Sequence, residues 1–457
     1  MCRIKLTTCC PSTLRTNRIH YDFIAILCVE QNPRGLMKIL VYGINYAPEL
    51  TGIGRYTSDM AASLAEAGHD VRVVTAPPYY PAWQIAPGFS ARRYVTEQSN
   101  GVSIWRAPLW VPSRPKGALR LLHLASFALS SLPVMIRQLT WRPQAVLSIA
   151  PSLLNAPAGW LVARLSGAHA WLHVQDYEVD AAFKLGMLKG SWKKRLALSF
   201  ERALLRRFDT VSTISAKMME HALHKGVPRR NVVHFANWVD TTSIHPLPKG
   251  NSLRSELEIP EDGIIVLYSG NMGAKQGLEV LGQAAAALDR NPNLYFVFCG
   301  AGPGLATLQA LCGNKPNCRF IPLQPIERLN ELLNLADIHV LPQRADAADL
   351  VMPSKLTGML ASGRVVIAMA QPGTELHATV APRGVVIPPE QTDVLISTIE
   401  SLATDPKRRD RLGRAGRDFA LSALSRENVL GEFEHTLRAR CAVEPTPGPF
   451  TVRRPDL

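Results

Sequence analysis

Glycines and lysines occur together at several places where a predicted strand is followed by a predicted helix. The richest of these loops follows the apolar run at residues 264–268 and contains Gly270, Asn271, Gly273 and Lys275. Glycines leave backbone N–H groups accessible, a helix start directs N–H groups toward a ligand, and lysine adds a cation. The combination predicts a phosphate-binding loop. An ordinary turn with a solvated lysine is the alternative.

Two further loops could line the same cleft. Gly300 and Gly302 follow a predicted strand at residues 294–299, and Ser354 and Lys355 open a predicted helix over residues 355–361. We expect Ser354 to cap that helix and Lys355 to supply a second cation. Each loop alone indicates only a turn or a helix cap.

Gly52 and Gly54 lie between the first predicted strand, residues 38–43, and a helix over residues 56–67. They allow the backbone to approach a ligand at a helix start. A nicotinamide dinucleotide fingerprint is the competing interpretation. It agrees poorly, because Thr57 replaces the third glycine and no acidic residue ends the second strand, residues 71–75. A surface turn remains the plainer alternative.

His173 and Asp176 come at the end of a predicted strand over residues 169–174. In a parallel sheet this end faces the ligand cleft, so Asp176 could orient or deprotonate a sugar hydroxyl. The alternative is that both residues are simply hydrogen-bonded groups of the core or loop.

Strands alternating with helices must position these residues. Further strands are predicted at residues 102–106, 145–149, 210–214, 318–321, 338–341 and 364–368. Continuous apolar strands between amphipathic helices indicate an α/β protein with two doubly wound parallel sheets. We divide the chain into an extension (1–36), a first domain (37–243), a second domain (244–424), a helix (425–441) and a loose tail (442–457). Met37 is the expected functional start.

Charge and cysteine content narrow the classes of partner. The 457 residues carry 51 Lys and Arg against 37 Asp and Glu, a net charge of +14 that favours an anionic partner. Eight cysteines without metal-ligand spacing indicate a reducing compartment, so we expect the cytoplasm. No metal motif occurs in a suitable loop.

Residues 184–207 hold eight basic residues and one acid, interleaved with apolar side chains. A basic amphipathic helix with aromatic residues is typical of membrane-surface binding. A domain helix with a solvated basic face is the alternative. Residues 118–136 form an apolar stretch that is interrupted by polar residues and Pro133, which favours partial insertion over spanning. The predicted membrane-surface residues are Lys189, Trp192, Lys193, Lys194 and Arg195.

The motifs together resemble the large retaining glycosyltransferase family of the GT-B fold, family-four type, over about residues 37–441. Within it they are most similar to bacterial colanic-acid and exopolysaccharide fucosyltransferases. The motifs are GINYAPELTGIGRYT (43–57), HVQDYEVDAAFKLG (173–186), VSTIS (211–215), ANWVDTTSIHP (236–246), YSGNMGAKQGL (268–278), FCGAGP (298–303) and PSKLTGMLASGRVVIA (353–368).

This resemblance implies two Rossmann-like domains facing a cleft, with a nucleotide-sugar donor held mainly by the second and the acceptor held by the first. It implies transfer of a sugar, with fucose from GDP-fucose as the family-based choice. Because a lysine and helix dipoles can replace a divalent cation, we expect no metal or other cofactor. The basic helix and the apolar stretch predict a peripheral protein on the cytoplasmic face of the membrane, and an acceptor glycan carried on a lipid diphosphate would explain both features.

Lys275 matches the family's basic residue to within one position, and His173 and Asp176 match the region where family members place acceptor-side catalytic groups. Asn271 stands where the family has a companion arginine. The family's paired glutamates fall at Leu350 and Gly358, so ribose recognition here must use another group.

Two other functions remain open from the sequence. A sugar-nucleotide epimerase or hydrolase would keep the fold but would need no basic membrane face. A nucleic-acid-binding protein would use the positive charge, but the chain has no aromatic stacking array or nucleic-acid motif, so we expect no nucleic-acid partner.

Overall fold

Two parallel sheets organise the protein in the computed structural model. The model describes residues 35–49, 52–113, 117–151, 153–177, 191–250, 252–273, 276–345 and 353–442; within 191–194, only the side chain of Trp192 is included. The chain divides into two units, Met1–Leu36 and Met37–Leu457, and both sheets belong to the second.

The first sheet has eight strands in the order β3-β4-β2-β1-β5-β6-β7-β8, and all neighbours except β3 and β4 are parallel. Its strands are β1 Lys38–Tyr42, β2 Asp70–Thr75, β3 Val95–Ser99, β4 Val102–Arg106, β5 Ala145–Ala150, β6 His169–Val174, β7 Thr210–Thr213 and β8 Val232–His234. Its helices are α1 Ile53–Glu66, α2 Ala118–Ser130, α3 Leu132–Trp141, α4 Ala156–Ser166, α5 Ser191–Leu205 and α6 Ala216–His224.

Helices cover both faces of this sheet, which explains why its central strands are apolar throughout. Every residue of β5 is buried. Phe127 of α2, Met135 of α3, Val162 of α4 and Leu204 of α5 belong to one core cluster. Met60 of α1 belongs to the cluster on the opposite face. Helices α2 to α5 therefore share one face and turn their outer surfaces away from the sheet.

The second sheet has six parallel strands in the order β11-β10-β9-β12-β13-β14. Its strands are β9 Ile264–Ser269, β10 Leu294–Cys299, β11 Cys318–Ile321, β12 Ile338–Leu341, β13 Val365–Met369 and β14 Val385–Ile387. Its helices are α7 Ser252–Glu256, α8 Glu279–Ala287, α9 Leu305–Cys312, α10 Leu329–Leu335, α11 Lys355–Ala361, α12 Glu375–Val380, α13 Thr392–Thr404 and α14 Pro406–Ala423.

The last helix, α15 Arg426–Ala442, returns from the second domain to the first. Phe433 of α15 stacks on Phe235 with ring centroids 4.1 Å apart. It also contacts Trp171 of β6 edge to face at 5.3 Å. The chain thus crosses between the domains twice, and the crossings meet where Val239 and Ser425 form a parallel bridge.

The predicted α/β fold with two doubly wound sheets is confirmed, and the predicted strands are present with ends shifted by no more than one residue. Three strands were not predicted. β3 is mostly exposed and antiparallel, whereas β8 and β14 have three residues each, so none carries a long apolar run. The domain limits at residues 243 and 424 stay predictions.

Replacing Phe433 with Ala is expected to lower the free energy of unfolding by about 3–5 kcal/mol, because a buried aromatic ring is removed and a cavity is left. Urea denaturation followed by far-UV circular dichroism measures the change. Glu432→Ala, at an exposed position of the same helix, is the control and should stay within about 0.5 kcal/mol of wild type. Equal effects of the two substitutions would contradict the docking of α15 on the first domain.

Candidate active site

Two glycine loops pack directly on each other at the carboxyl ends of β9 and β10. The Met272 N–H donates to the Ala301 carbonyl at 2.9 Å, and the Gly304 N–H donates to the Met272 carbonyl at 2.8 Å. A Cβ atom on Gly300 would collide with the Gly270 carbonyl oxygen. Gly300 is therefore needed for the contact between the loops, in addition to any role toward a ligand.

Lys355, the first residue of α11, brings a partly buried cation to these loops. Its Nζ lies 4.2 Å from the centre of the Tyr268 ring. A Cβ built on Gly270 would lie 3.7 Å from the same Nζ. Burial lowers the pKa of Lys355 to about 7. None of the carboxylates in the described part of the chain pairs with it, so a bound anion would supply the missing counter-charge.

The donors around Lys355 differ from the sequence prediction in two details. The Gly273 N–H already donates to Gln276 Oε1 at 3.1 Å, so the loop satisfies part of the predicted N–H nest internally. Ser354 occupies the N-cap position of α11, but its side chain makes no capping hydrogen bond. The prediction that Ser354 caps the helix through its hydroxyl is wrong, because its backbone is already helical and its side chain is exposed.

In the first domain, Gly54 lies in the first turn of α1 and not in the predicted loop, because the helix begins at Ile53, and it accommodates a buried carboxylate. A Cβ on Gly54 would lie 2.7 Å from Glu49 Oε2. Glu49 Oε1 accepts hydrogen bonds from the Tyr79 and Tyr80 N–H groups, each at 3.1 Å. Burial raises the pKa of Glu49, and these hydrogen bonds oppose that shift. Glu49 therefore ties the glycine loop to the loop after β2.

Sequence reasoning missed Glu49. The signal was an acidic residue inside an otherwise apolar Pro and Gly loop. Gly52, three residues further on, precedes α1 with a φ of 65°, and the Tyr80 ring is 3.8 Å from the position of its Cβ.

Helix α1 and helix α11 bring the two domains' loops together. The Tyr56 side chain of α1 lies close to the Thr357 side chain of α11. Tyr56 lies two residues after Gly54, and Thr357 lies two residues after Lys355. A second contact joins the domains where the Lys217 N–H donates to Glu375 Oε2 at 3.0 Å. The glycine loop of the first domain and the lysine of the second therefore border one cleft.

His173 is placed in the core on β6. Its Nδ1 is 2.9 Å from Ser212 Oγ, and its ring lies 4.8 Å from the Phe235 ring. Burial lowers the pKa of His173 to about 3, so the ring is neutral. Asp176 lies two residues beyond β6 in a half-buried position. The structure brings Asp176 to the strand end and His173 to the packed interior, and their catalytic roles stay predictions.

Several predicted residues fall outside this description. Lys275 and Lys189 are outside the described residues, as are the side chains of Lys193 and Lys194. In α5, Trp192 and Arg195 are exposed. Gly302 lies beside Met272 and Asn271, as the prediction of adjoining loops requires. Across the described ranges, no group of three His, Cys, Asp or Glu side chains is placed to hold a metal ion.

Two Rossmann-like domains joined across a cleft with a cation at its edge define a GT-B protein. Residues 51–238 match the model of a glycosyl transferase 4-like domain, and residues 251–419 match the model of glycosyl transferases group 1. WcaI of Escherichia coli (strain K12), named as a glycosyl transferase of colanic acid biosynthesis, is 43% identical over 412 residues, which cover 88% of this chain and 100% of WcaI. The chain therefore belongs to the glycosyltransferase family that these two models describe and that includes WcaI.

Solved structures share the fold at low identity. Sucrose-phosphate synthase of Thermosynechococcus elongatus superposes with a TM-score of 0.69 at 19% identity, covering 89% of this chain and 99% of that one. HepE of Anabaena, in complex with UDP and glucose, gives a TM-score of 0.63 at 14% identity, covering 88% of this chain and 100% of that one. Both comparisons establish the GT-B architecture.

Anion binding at Lys355 is expected to weaken as pH rises through about 7, because a lysine with a lowered pKa loses its proton there. The affinity for inorganic pyrophosphate is measured calorimetrically at about pH 6 and at about pH 8.5. The loss of affinity between these two pH values should be about tenfold larger for wild type than for Lys355→Arg, because the guanidinium stays charged. Lys355→Met should bind weakly at both pH values.

The arginine variant corrects for the titration of pyrophosphate itself. Lys407→Met, at an exposed position of α14, controls for the loss of one positive charge. Identical pH profiles for wild type and the arginine variant would show that Lys355 does not contact the anion.

Proposed function

We propose that this enzyme transfers a sugar from a nucleoside-diphosphate donor to a lipid-diphosphate-linked oligosaccharide during assembly of a colanic-acid-like exopolysaccharide. The observation that carries the proposal is Lys355, a partly buried cation set against Gly270 at the edge of the interdomain cleft. Support for the donor class comes from HepE, which binds UDP and glucose, and support for the pathway comes from the name of WcaI. Fucose from GDP-fucose is the first donor to test.

The chemistry is the separation of a cationic, oxocarbenium-like sugar from a nucleoside diphosphate. Groups that neutralise the diphosphate as the bond breaks lower the barrier, and losing one such donor costs about 2.7–4 kcal/mol. In the proposal Lys355 and Lys275 have this role without a metal ion. The acceptor hydroxyl attacks from the first-domain side, where Asp176 would orient it, and the anomeric configuration of the sugar is retained.

The outer surface of helices α2 to α5 supports a membrane location. Its exposed apolar side chains include Leu122 and Leu129 of α2, Ile136 of α3, Leu165 of α4 and Trp192 of α5. The only acidic residue in these four helices is Glu201, which is buried in an ion pair with Lys225. A surface that is apolar, basic and without exposed acids suits the anionic cytoplasmic face of a membrane.

Within the described residues, one helical stretch, Ala118–Trp141, has the length and composition of a membrane span, with 33% of its most apolar window buried. Its buried side includes His123, Phe127 and Met135, which pack in the first-domain core. The proposal is therefore a peripheral protein that inserts one face of this stretch into the lipid.

The function is tested by incubating the enzyme with GDP-fucose, GDP-mannose, UDP-glucose and UDP-galactose, with and without extracted lipid-linked glycans, and measuring the nucleoside diphosphate released. Release that depends on the lipid extract, with label appearing on the lipid, is the expected result. Lys275→Ala should lower turnover at least about a hundredfold, and the exposed Lys407→Ala should not. NMR of the product's anomeric proton reports retention. Release without transfer would instead indicate a hydrolase.

The membrane location predicts that Leu129→Glu and Ile136→Glu each reduce co-sedimentation with vesicles containing anionic lipid, because a charge would enter the apolar layer. Leu421→Glu, at an exposed position of α14, is the matched control and should sediment like wild type. Circular dichroism checks folding. Wild-type protein that remains in the supernatant with such vesicles at low salt would contradict the proposal.

A further inference from the structure

A cavity of about 770 Å³ opens in the first domain beside the interdomain cleft. Its walls come from the loop after β2, the segment after β4 and helix α2. Two indole rings, Trp83 and Trp110, line it together with polar groups that include Gln84, Ser113 and Arg92. Aromatic faces with a few polar groups are typical of a pocket for a small, partly polar ligand.

Contacts with neighbouring residues position the two tryptophans differently. The Trp83 ring contacts Tyr79 at 5.5 Å and His123 at 5.2 Å between centroids. The backbone of Trp83 has a φ of 54°, a conformation that a large side chain rarely adopts. The backbone N–H of Trp110 donates to Ser126 Oγ at 3.1 Å, which ties this segment to α2. The Trp110 side chain itself is exposed.

A buried histidine lies behind the tryptophan wall of the pocket. His123 Nδ1 lies 2.7 Å from the Trp110 carbonyl and must donate to it, so Nε2 keeps its lone pair. His123 is fully buried, and its Nε2 has no hydrogen-bond partner among the described residues. Burial also lowers the pKa of His123, which keeps the ring neutral. His123 supports the Trp83 ring and the Trp110 backbone from behind and does not itself line the cavity.

The pocket is connected to the candidate active site through the loop after β2. Tyr79 and Tyr80 donate their N–H groups to Glu49, which lies under the glycine loop of the first domain. Tyr79 contacts the ring of Trp83, and the Tyr80 ring approaches Gly52. A ligand in the pocket would therefore lie beside the loop that borders the reacting sugar.

We propose that this pocket binds a sugar ring of the acceptor glycan, stacked on Trp83 and Trp110. The proposal rests on the proposed function and deepens it by giving the acceptor a site. Sugar hydroxyls can form hydrogen bonds with Gln84, Ser113 and Arg92, whereas a hydrocarbon chain offers these groups no partner of its own. Arg92 is exposed at the wall and can meet the diphosphate that follows the glycan.

The position of helix α2 agrees with a lipid-linked acceptor. Ser126 of α2 lines the pocket, while Leu122 and Leu129 of the same helix are exposed on the surface assigned to the membrane. The pocket thus lies at the border between the lipid layer and the cleft. An acceptor anchored in the membrane by its lipid can place its sugar there without leaving the bilayer.

The test uses calorimetric titration of the full-length protein with farnesyl diphosphate and with farnesyl diphosphate carrying glucose, galactose, fucose or N-acetylglucosamine. Wild type should bind at least one glycosylated probe about tenfold more tightly than farnesyl diphosphate. Trp110→Ala should abolish that difference. Trp110→Phe, which keeps an aromatic face, should retain most of it, and Leu421→Ala should equal wild type.

Three results would overturn the inference: equal affinity of wild type for farnesyl diphosphate and every glycosylated probe, full sugar discrimination by Trp110→Ala, or no binding of any probe by wild type. Titration of wild type with GDP and with UDP, under the same conditions, reports on the donor site. If wild type binds neither nucleotide, that result would count against the proposed function. Normal nucleotide binding with failed sugar discrimination would count against the pocket alone.

Discussion

The site depends on one electrostatic arrangement, a lysine held partly out of water that pairs with none of the carboxylates in the described ranges. Lys355 lies against the Tyr268 ring and beside Gly270, and burial lowers its pKa to about 7. The Tyr268 ring attracts the ammonium group, and the glycine leaves space for it. Neither neutralises its positive charge, so an anion bound there would stabilise the charged form. The two sheets, the packed glycine loops and helix α11 all fix the position of this one charge.

Much of the fold could be predicted because long apolar strands and glycine-terminated helices are local signals. β5, β6, β9 and β10 are apolar along almost their whole length, and their positions agreed with the structure. The edge strands β3, β8 and β14 were missed, because β3 is polar and mostly exposed and the other two have only three residues each. The return of α15 to the first domain could not be foreseen, because the contact of Phe433 with Phe235 joins residues about 200 positions apart.

The site was predictable in its loops and less so in its details. Gly270, Gly300 and Lys355 were predicted to line one cleft because each follows or opens an element with glycine or lysine, and the structure places them together, whereas their role toward a ligand stays a prediction. The role of Gly54 was not predicted. Glycine is needed at this position because the carboxylate of Glu49, five residues earlier, lies where a side chain would be. His173 illustrates a limit of position alone: a residue near a strand's end can still point into the core, where Ser212 and Phe235 surround it.

The paired bridge between Val239 and Ser425 has a mechanical consequence. Both passages of the backbone from one domain to the other run through this single place, side by side. We expect two parallel connections to restrict twisting between the domains more than one linker would, which favours bending at this place. Opening of the interdomain cleft for product release and its closure on a new substrate would then be the same bending motion in opposite directions.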